Sequence, residues 1–357
     1  MVEGFANWGY SLGMKRAASW AGCELPILQA PMAGSQGGAL AAAVSAAGGL
    51  GALPAAMLNP AGLRRELEVL RASRRPYNVN FFCHTPPTLD QDREQAWRDC
   101  LAPYYAEYGV SPPAVTGATR RPFDGEFAEV LREFRPPVVS FHFGLPAAEL
   151  VSRVREWGAI VISTATTVAE AVWLEQQGAD AVIAQGTDAG GHRGHFLRAD
   201  LDGQCGTLSL VAQVIAAIRI PVIAAGGIAD ARGVKAALAL GAAAVQVGTA
   251  YLLCPEATTS AVHRAALTSA DSAATAITNL FSGRPARGIV NRLMRELGPM
   301  NPAAPEFPLA SAALAPLRAQ AEERGDGAFS PLWCGQNPSG CAIVPAGQLT
   351  RRLSGLD

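Results

Sequence analysis

The chain has 357 residues, 49% hydrophobic and 17% charged, enough apolar side chain to bury at least one large core and too much for a disordered chain. A formal net charge of -1, with Lys and Arg scattered, gives no electrostatic footprint for nucleic acid or an anionic membrane, so small-molecule chemistry is the expected function class. No apolar run reaches the roughly 18 to 20 residues of a membrane span, and "MVEGFANWGYSLGMKR" has no signal-peptide core, so a cytoplasmic location is expected.

In chain order, short apolar runs alternate with segments of helical spacing: "PILQAPM" (26–32), "GLGALPA" (49–55), "YNVNFF" (77–82), "VVSFHF" (138–143), "AIVISTAT" (159–166), "ADAVIAQG" (179–186), "PVIAAGG" (221–227) and "AAVQVGT" (243–249). Continuous apolar strands suit a parallel sheet covered on both faces, and eight βα alternations predict a closed (β/α)8 TIM barrel. Helix punctuation agrees: one helix ends at Gly48, one starts at a Thr cap and stops at Gly178, and one starts at Asp230 and stops at Gly241. The expected organisation is a barrel over 1–259 with an insertion near 88–135, a smaller helical second domain over 260–335, and a segment 336–357 returning to the barrel. Seven cysteines, odd in number and without a C-x-x-C pair, read as reduced thiols.

Active sites of such barrels form at the carboxyl ends of the strands. Those ends carry Ala30, Pro31 and Met32 (first strand), Asn80 and Phe82 (third), His142 (fourth), Thr164 and Thr166 (fifth), Gln185 (sixth), Gly226 and Gly227 (seventh), and Gln246, Gly248 and Thr249 (eighth). Glycines between a strand and a helix start, in "AAGGIAD" and "QVGTAY", free backbone N–H groups for an anion, usually phosphate. Asn80 and Gln185 can donate and accept toward the pyrimidine edge of a flat heterocycle such as a flavin. Between them lies "AQGTDAGGHRGHF", where His192 is the candidate acid/base, flanked by Gly191 and Gly194. His142 is a candidate substrate contact. Asp188, His192 and His195 lack a fourth partner, so no metal site is expected. His195 reads as exposed or idle, and His84 and His263 as surface or structural residues.

Together, "PILQAPMAG", "YNVNFF", "VVSFHFGLP", "AQGTDAGGHRG", "PVIAAGGIAD", "AAVQVGTAYLLCPE", "NLFSGRPARG" and "PLWCGQ", in order over roughly 25–340, resemble the nitronate monooxygenase family, its first class. The resemblance implies an FMN-binding barrel with a helical second domain over the site. Carried over residue by residue, flavin contacts fall on Asn80, Gln185, Gly190, Gly227, Gln246, Val247, Gly248 and Thr249, with Ala30, Pro31 and Met32 beneath the ring and His192 catalytic. It further implies oxidation of nitronates such as propionate 3-nitronate, and of nitroalkanes, with O2 to a carbonyl compound and nitrite. His192 would take the α-proton of a neutral nitroalkane, or anchor a substrate that arrives as the anion.

The alternative on the same barrel is an FMN-dependent NAD(P)H reductase of enoyl-acyl-carrier protein or quinones. A barrel that binds a phosphorylated ligand without turnover is the non-enzymatic reading, against which the histidine loop argues. The chain departs from the family in having no Tyr after Tyr251 and no Lys after Lys235, where some members present both to substrate. Arg284, Arg287 and Phe307 are the candidates to stand in. No oligomeric state is specified by the sequence.

Overall fold

The computed structural model describes residues 21–113 and 120–356. Eight strands form one parallel sheet: β1 (Ile27–Gln29), β2 (Gly51–Pro54), β3 (Tyr77–Phe82), β4 (Val138–His142), β5 (Ile160–Ala165), β6 (Ala181–Gln185), β8 (Val222–Ala225) and β9 (Ala244–Val247). A two-residue strand, β7 (Gly191–His192), belongs to a second sheet. The order β1-β9-β8-β6-β5-β4-β3-β2 closes where Leu28 bridges Leu50, with Leu50 N–H donating to the Ile27 carbonyl at 2.9 Å. This is the expected (β/α)8 barrel, and each strand lies within the apolar run that predicts it.

Alternation along the strands sorts the side chains. Val182, Ala184, Val222, Ala224, Val245 and Val247 face the surrounding helices. Leu28, Leu50, Val138, Ile162, Ile183 and Ile223 fill the barrel interior, each fully buried aliphatic side chain contributing about 1.5–3 kcal/mol. The same period brings Asn80, His142, Gln185 and Gln246 to the inner face at the carboxyl ends. Helix starts follow their caps: the Thr167 hydroxyl accepts from Glu170 N–H at 3.2 Å and the Asp230 carboxylate from Gly233 N–H at 2.9 Å.

The region expected to be helical is mixed. It contains helices Ala261–Thr268, Arg292–Leu297 and Ala310–Glu323, but also β10 (Thr275–Thr278) and β11 (Ala286–Ile289), an antiparallel pair to which β7 adds as a third strand. The insertion helix Gln91–Tyr108 packs here through Trp97, Leu101 and Tyr105 against Leu314 and Leu317. Trp97 Nε1–H donates to the Ala310 carbonyl (3.3 Å) and the Tyr105 hydroxyl to that of Ala313 (2.7 Å). Part of the proline-rich insertion, 114–119, lies outside the described residues, as does the N-terminal stretch 1–20. Helix Ala346–Ser354 returns to the barrel against Gly38–Ala46 and β1, where Thr350 Oγ1 meets the Tyr251 hydroxyl at 2.9 Å. All seven cysteines carry free thiols.

Candidate active site

The strand ends open into a cavity of about 1390 Å³, counting the space at its mouth. Its wall includes Ala30, Pro31 and Met32 after β1, Asn80 and Phe82 of β3, His142 of β4, Gln185 of β6, Gly190 and His192 in the next loop, Gly226 and Gly227 after β8, and Gln246, Gly248 and Thr249 around the end of β9. Among the flavin contacts that the family resemblance implies, Val247 is the one outside the wall. Its side chain faces the helices, as alternation demands of a neighbour of Gln246, and its carbonyl accepts from Ala30 N–H at 2.8 Å.

Two glycine corners form one end of the cavity. Gly226 and Gly227 adopt φ of +126° and +68°, a conformation that L side chains rarely adopt. A Cβ on Gly226 would lie 2.5 Å from Thr207 Oγ1, and one on Gly248 3.3 Å from the Ala30 Cβ. Among the described residues, the amides of Gly226, Gly227 and Gly248 donate to no protein acceptor. Asp230 caps the helix after β8 through the Gly233 N–H, so the unpaired donors named here are loop amides. Gln246 Oε1, on the cavity wall, is buried without a protein partner among the described residues. Asn80 spends its N–H2 on Ser140 Oγ at 2.8 Å.

The histidine loop is held from several sides. The His192 carbonyl accepts from Gln185 Nε2–H (2.9 Å) and from His142 Nε2–H (3.2 Å), and Gly194 N–H donates to Gln185 Oε1 (2.8 Å). Thr164 Oγ1 lies 3.1 Å from His142 Nδ1, which must be the acceptor once Nε2 carries the proton. Fully buried Arg193 turns back to the carbonyls of Gly186 (2.6 Å) and Gln185 (2.8 Å). The Glu170 carboxylate, also buried, accepts from Thr166 N–H at 2.7 Å and Phe196 N–H at 2.6 Å. Both ring nitrogens of His142 are thus engaged, which makes it a support for the loop more than a free substrate contact.

The ring of His192 points between Phe307 and Trp333, with centroids 5.3 and 5.4 Å away, and its Nε2 lies 2.8 Å from Ser282 Oγ. The Ser282 hydroxyl also lies 3.4 Å from the Arg284 carbonyl; when it donates there, its oxygen accepts from Nε2–H and the lone pair is left on Nδ1. Burial, followed by the charges of Arg120, His142, Arg284 and His84, holds the His192 imidazole well below its ordinary range, so the ring is neutral.

Several sequence assignments change. His195, expected to be exposed, is buried, and the Asp188 carboxylate accepts from the Thr207 N–H (2.6 Å) and hydroxyl (2.8 Å). His263 lines the cavity and its Nε2–H donates to the Trp333 carbonyl at 3.1 Å. Arg284, Arg287 and Phe307 do not line it, whereas Arg120 does. Ser282 and Arg120 escaped the sequence reading, since a lone Ser before "GRPARG" and an Arg after a proline-rich stretch carry no periodic signal.

A family model described as nitronate monooxygenase matches residues 16–355. The chain belongs to the nitronate monooxygenase family. Named nitronate monooxygenases from Pseudomonas aeruginosa and Paraburkholderia phytofirmans are 44% and 40% identical to it, over 93% of the chain in each case and 96% and 92% of the relatives. The crystal structure of a nitroalkane oxidase from Streptomyces ansochromogenes superposes with a TM-score of 0.86 at 40% identity, covering 95% of this chain and 97% of that one. FabK from Thermotoga maritima gives 0.69 at 30% identity, covering 95% and 94%. As a member of the nitronate monooxygenase family, the chain is an oxidoreductase. Among its described residues no helix is long and apolar enough to cross a membrane.

Proposed function

We propose that the chain is an FMN-dependent nitronate monooxygenase of the cytoplasm, converting alkyl nitronates, propionate 3-nitronate among them, and nitroalkanes with O2 to a carbonyl compound and nitrite. One observation carries this reading: a single cavity is lined both by two glycine corners with free amides and by a neutral imidazole, His192. The residues fit FMN. Gly226, Gly227, Gly248 and Thr249 would hold its phosphate, Asn80, Gln185 and Gln246 the polar edge of its ring, and Ala30, Pro31 and Met32 would lie beneath it. Gln246 Oε1, buried and unpartnered, is the kind of acceptor a ring N–H satisfies.

When bound, the flavin supplies the one-electron chemistry through which a nitronate reacts with O2. His192 takes the α-proton of a neutral nitroalkane on Nδ1, the site its bond to Ser282 leaves basic. Gln185, His142 and Arg193 fix the position from which it does so. Phe82 and Trp333 give the substrate an apolar surround that limits water. Purified protein should be yellow, release FMN on denaturation, and consume O2 when given ethyl nitronate. Rapid anaerobic bleaching by NADH or NADPH, with no nitronate-dependent O2 uptake, would support the reductase instead.

A further inference from the structure

The charge around His192 is unbalanced. The cavity wall contains no Asp or Glu, and its one Lys or Arg among the described residues is Arg120, partly buried within the insertion. The Arg120 guanidinium lies over the Phe307 ring, 5.5 Å from its centroid. Among the described residues it donates to no protein acceptor and meets no carboxylate. A guanidinium kept beside a cavity with an aromatic face as its only partner is set for a planar anion, which its fork can bind through two oxygens.

Its place in the barrel says which anion. Arg120 comes from the segment between β3 and β4, and in the closed strand order β3 and β4 stand opposite β8 and β9. The guanidinium is therefore across the barrel from the glycine corners and is not the partner of a phosphate held there. It is on the side of Phe307, whose ring packs on that of His192.

We infer that Arg120 binds the two oxygens of the substrate's nitro or nitronate group, so that anion binding and proton transfer belong to different residues. This rests on the nitronate reading above. For a neutral nitroalkane, the α-C–H bond breaks, its proton forms a bond to His192 Nδ1, and its electron pair moves onto the nitro group, whose new charge Arg120 faces. A substrate arriving as nitronate needs Arg120 only. The groups facing the His192 ring are Arg120, His142, Arg284, His84 and the Ser282 hydroxyl, and the charge of Arg120 leads the charged groups that keep it unprotonated.

Propionate, an unreactive anion with the same planar two-oxygen head, separates binding from turnover. In flavin-loaded Arg120→Met, its Kd by isothermal titration and the KM for ethyl nitronate should rise roughly 10- to 100-fold. The acid limb of kcat/KM for nitroethane should also move up toward the ordinary imidazole range. Arg120→Lys, which keeps the charge without the fork, should restore the acid limb and only part of the affinity. Unchanged propionate affinity and an unmoved acid limb in Arg120→Met would overturn the assignment. A wild-type protein that oxidises no nitronate would instead remove the proposed reaction, while its propionate titration still reports on Arg120.

Discussion

His142 Nε2 lies 3.2 Å from the carbonyl oxygen of His192, so the ring of one histidine holds the backbone of the other. The two rings therefore carry separable tasks. Replacing His192 with Asn should leave the cofactor bound and lower kcat/KM for neutral nitroalkanes about 100-fold or more, with a smaller effect on nitronates added as anions. Steady-state O2 uptake with nitroethane and with ethyl nitronate checks this, and equal, wild-type-like rates on both would take His192 out of the reaction.

Ser282 sets the tautomer of that base. In Ser282→Ala the Nε2 partner at 2.8 Å is lost and either nitrogen can carry the proton. The expected result is about a 10-fold drop in kcat/KM for nitroethane, with nitronate turnover nearly intact. Loss of both activities in equal measure would assign Ser282 a general structural role.

At the glycine corner, Gly226→Ala combines a φ of +126° with a Cβ 2.5 Å from Thr207 Oγ1 and 2.9 Å from Ala189 N. The expected cost is roughly 2 kcal/mol or more of stability, with loss of flavin affinity. Thermal denaturation and flavin release on gel filtration measure the two effects. A variant with wild-type melting temperature and full flavin content would contradict the close packing described.

Acid should destabilise the fold early. All five histidines are held below 6.5 chiefly by burial: His84, His195 and His263 to about 4, His142 to about 3, and His192 well below. Each folded-state value is lowered, so the unfolded chain binds more protons, and this part of stability is complete above pH 6.5 and is lost as pH falls. The melting temperature should be nearly level from pH 8 to 7 and fall steeply between about 6.5 and 4. A flat profile across that interval would show the rings to be solvated.

The barrel was legible because each strand is a local apolar run and the side-chain period of two needs no knowledge of partners. Asn80, His142, Gln185 and Gln246 follow from that period, and so does the outward side chain of Val247, whose motif spans residues that alternate between site and helix layer. What stayed hidden depends on distant pairing. Gly191 and His192 become a strand only because Ala286 and Arg287 lie beside them, some 95 residues away, and neither segment has strand length alone. Arg120 and Ser282 likewise acquire meaning only when Phe307 and His192, distant in sequence, come to lie beside them.

Crystals of the protein grown with FMN give the most direct test of the central claim. The account predicts phosphate density between Gly226–Gly227 and Gly248–Thr249 and an isoalloxazine ring with His192 Nδ1 facing its substrate side. Phosphate bound elsewhere, or an imidazole turned from the ring, would contradict it.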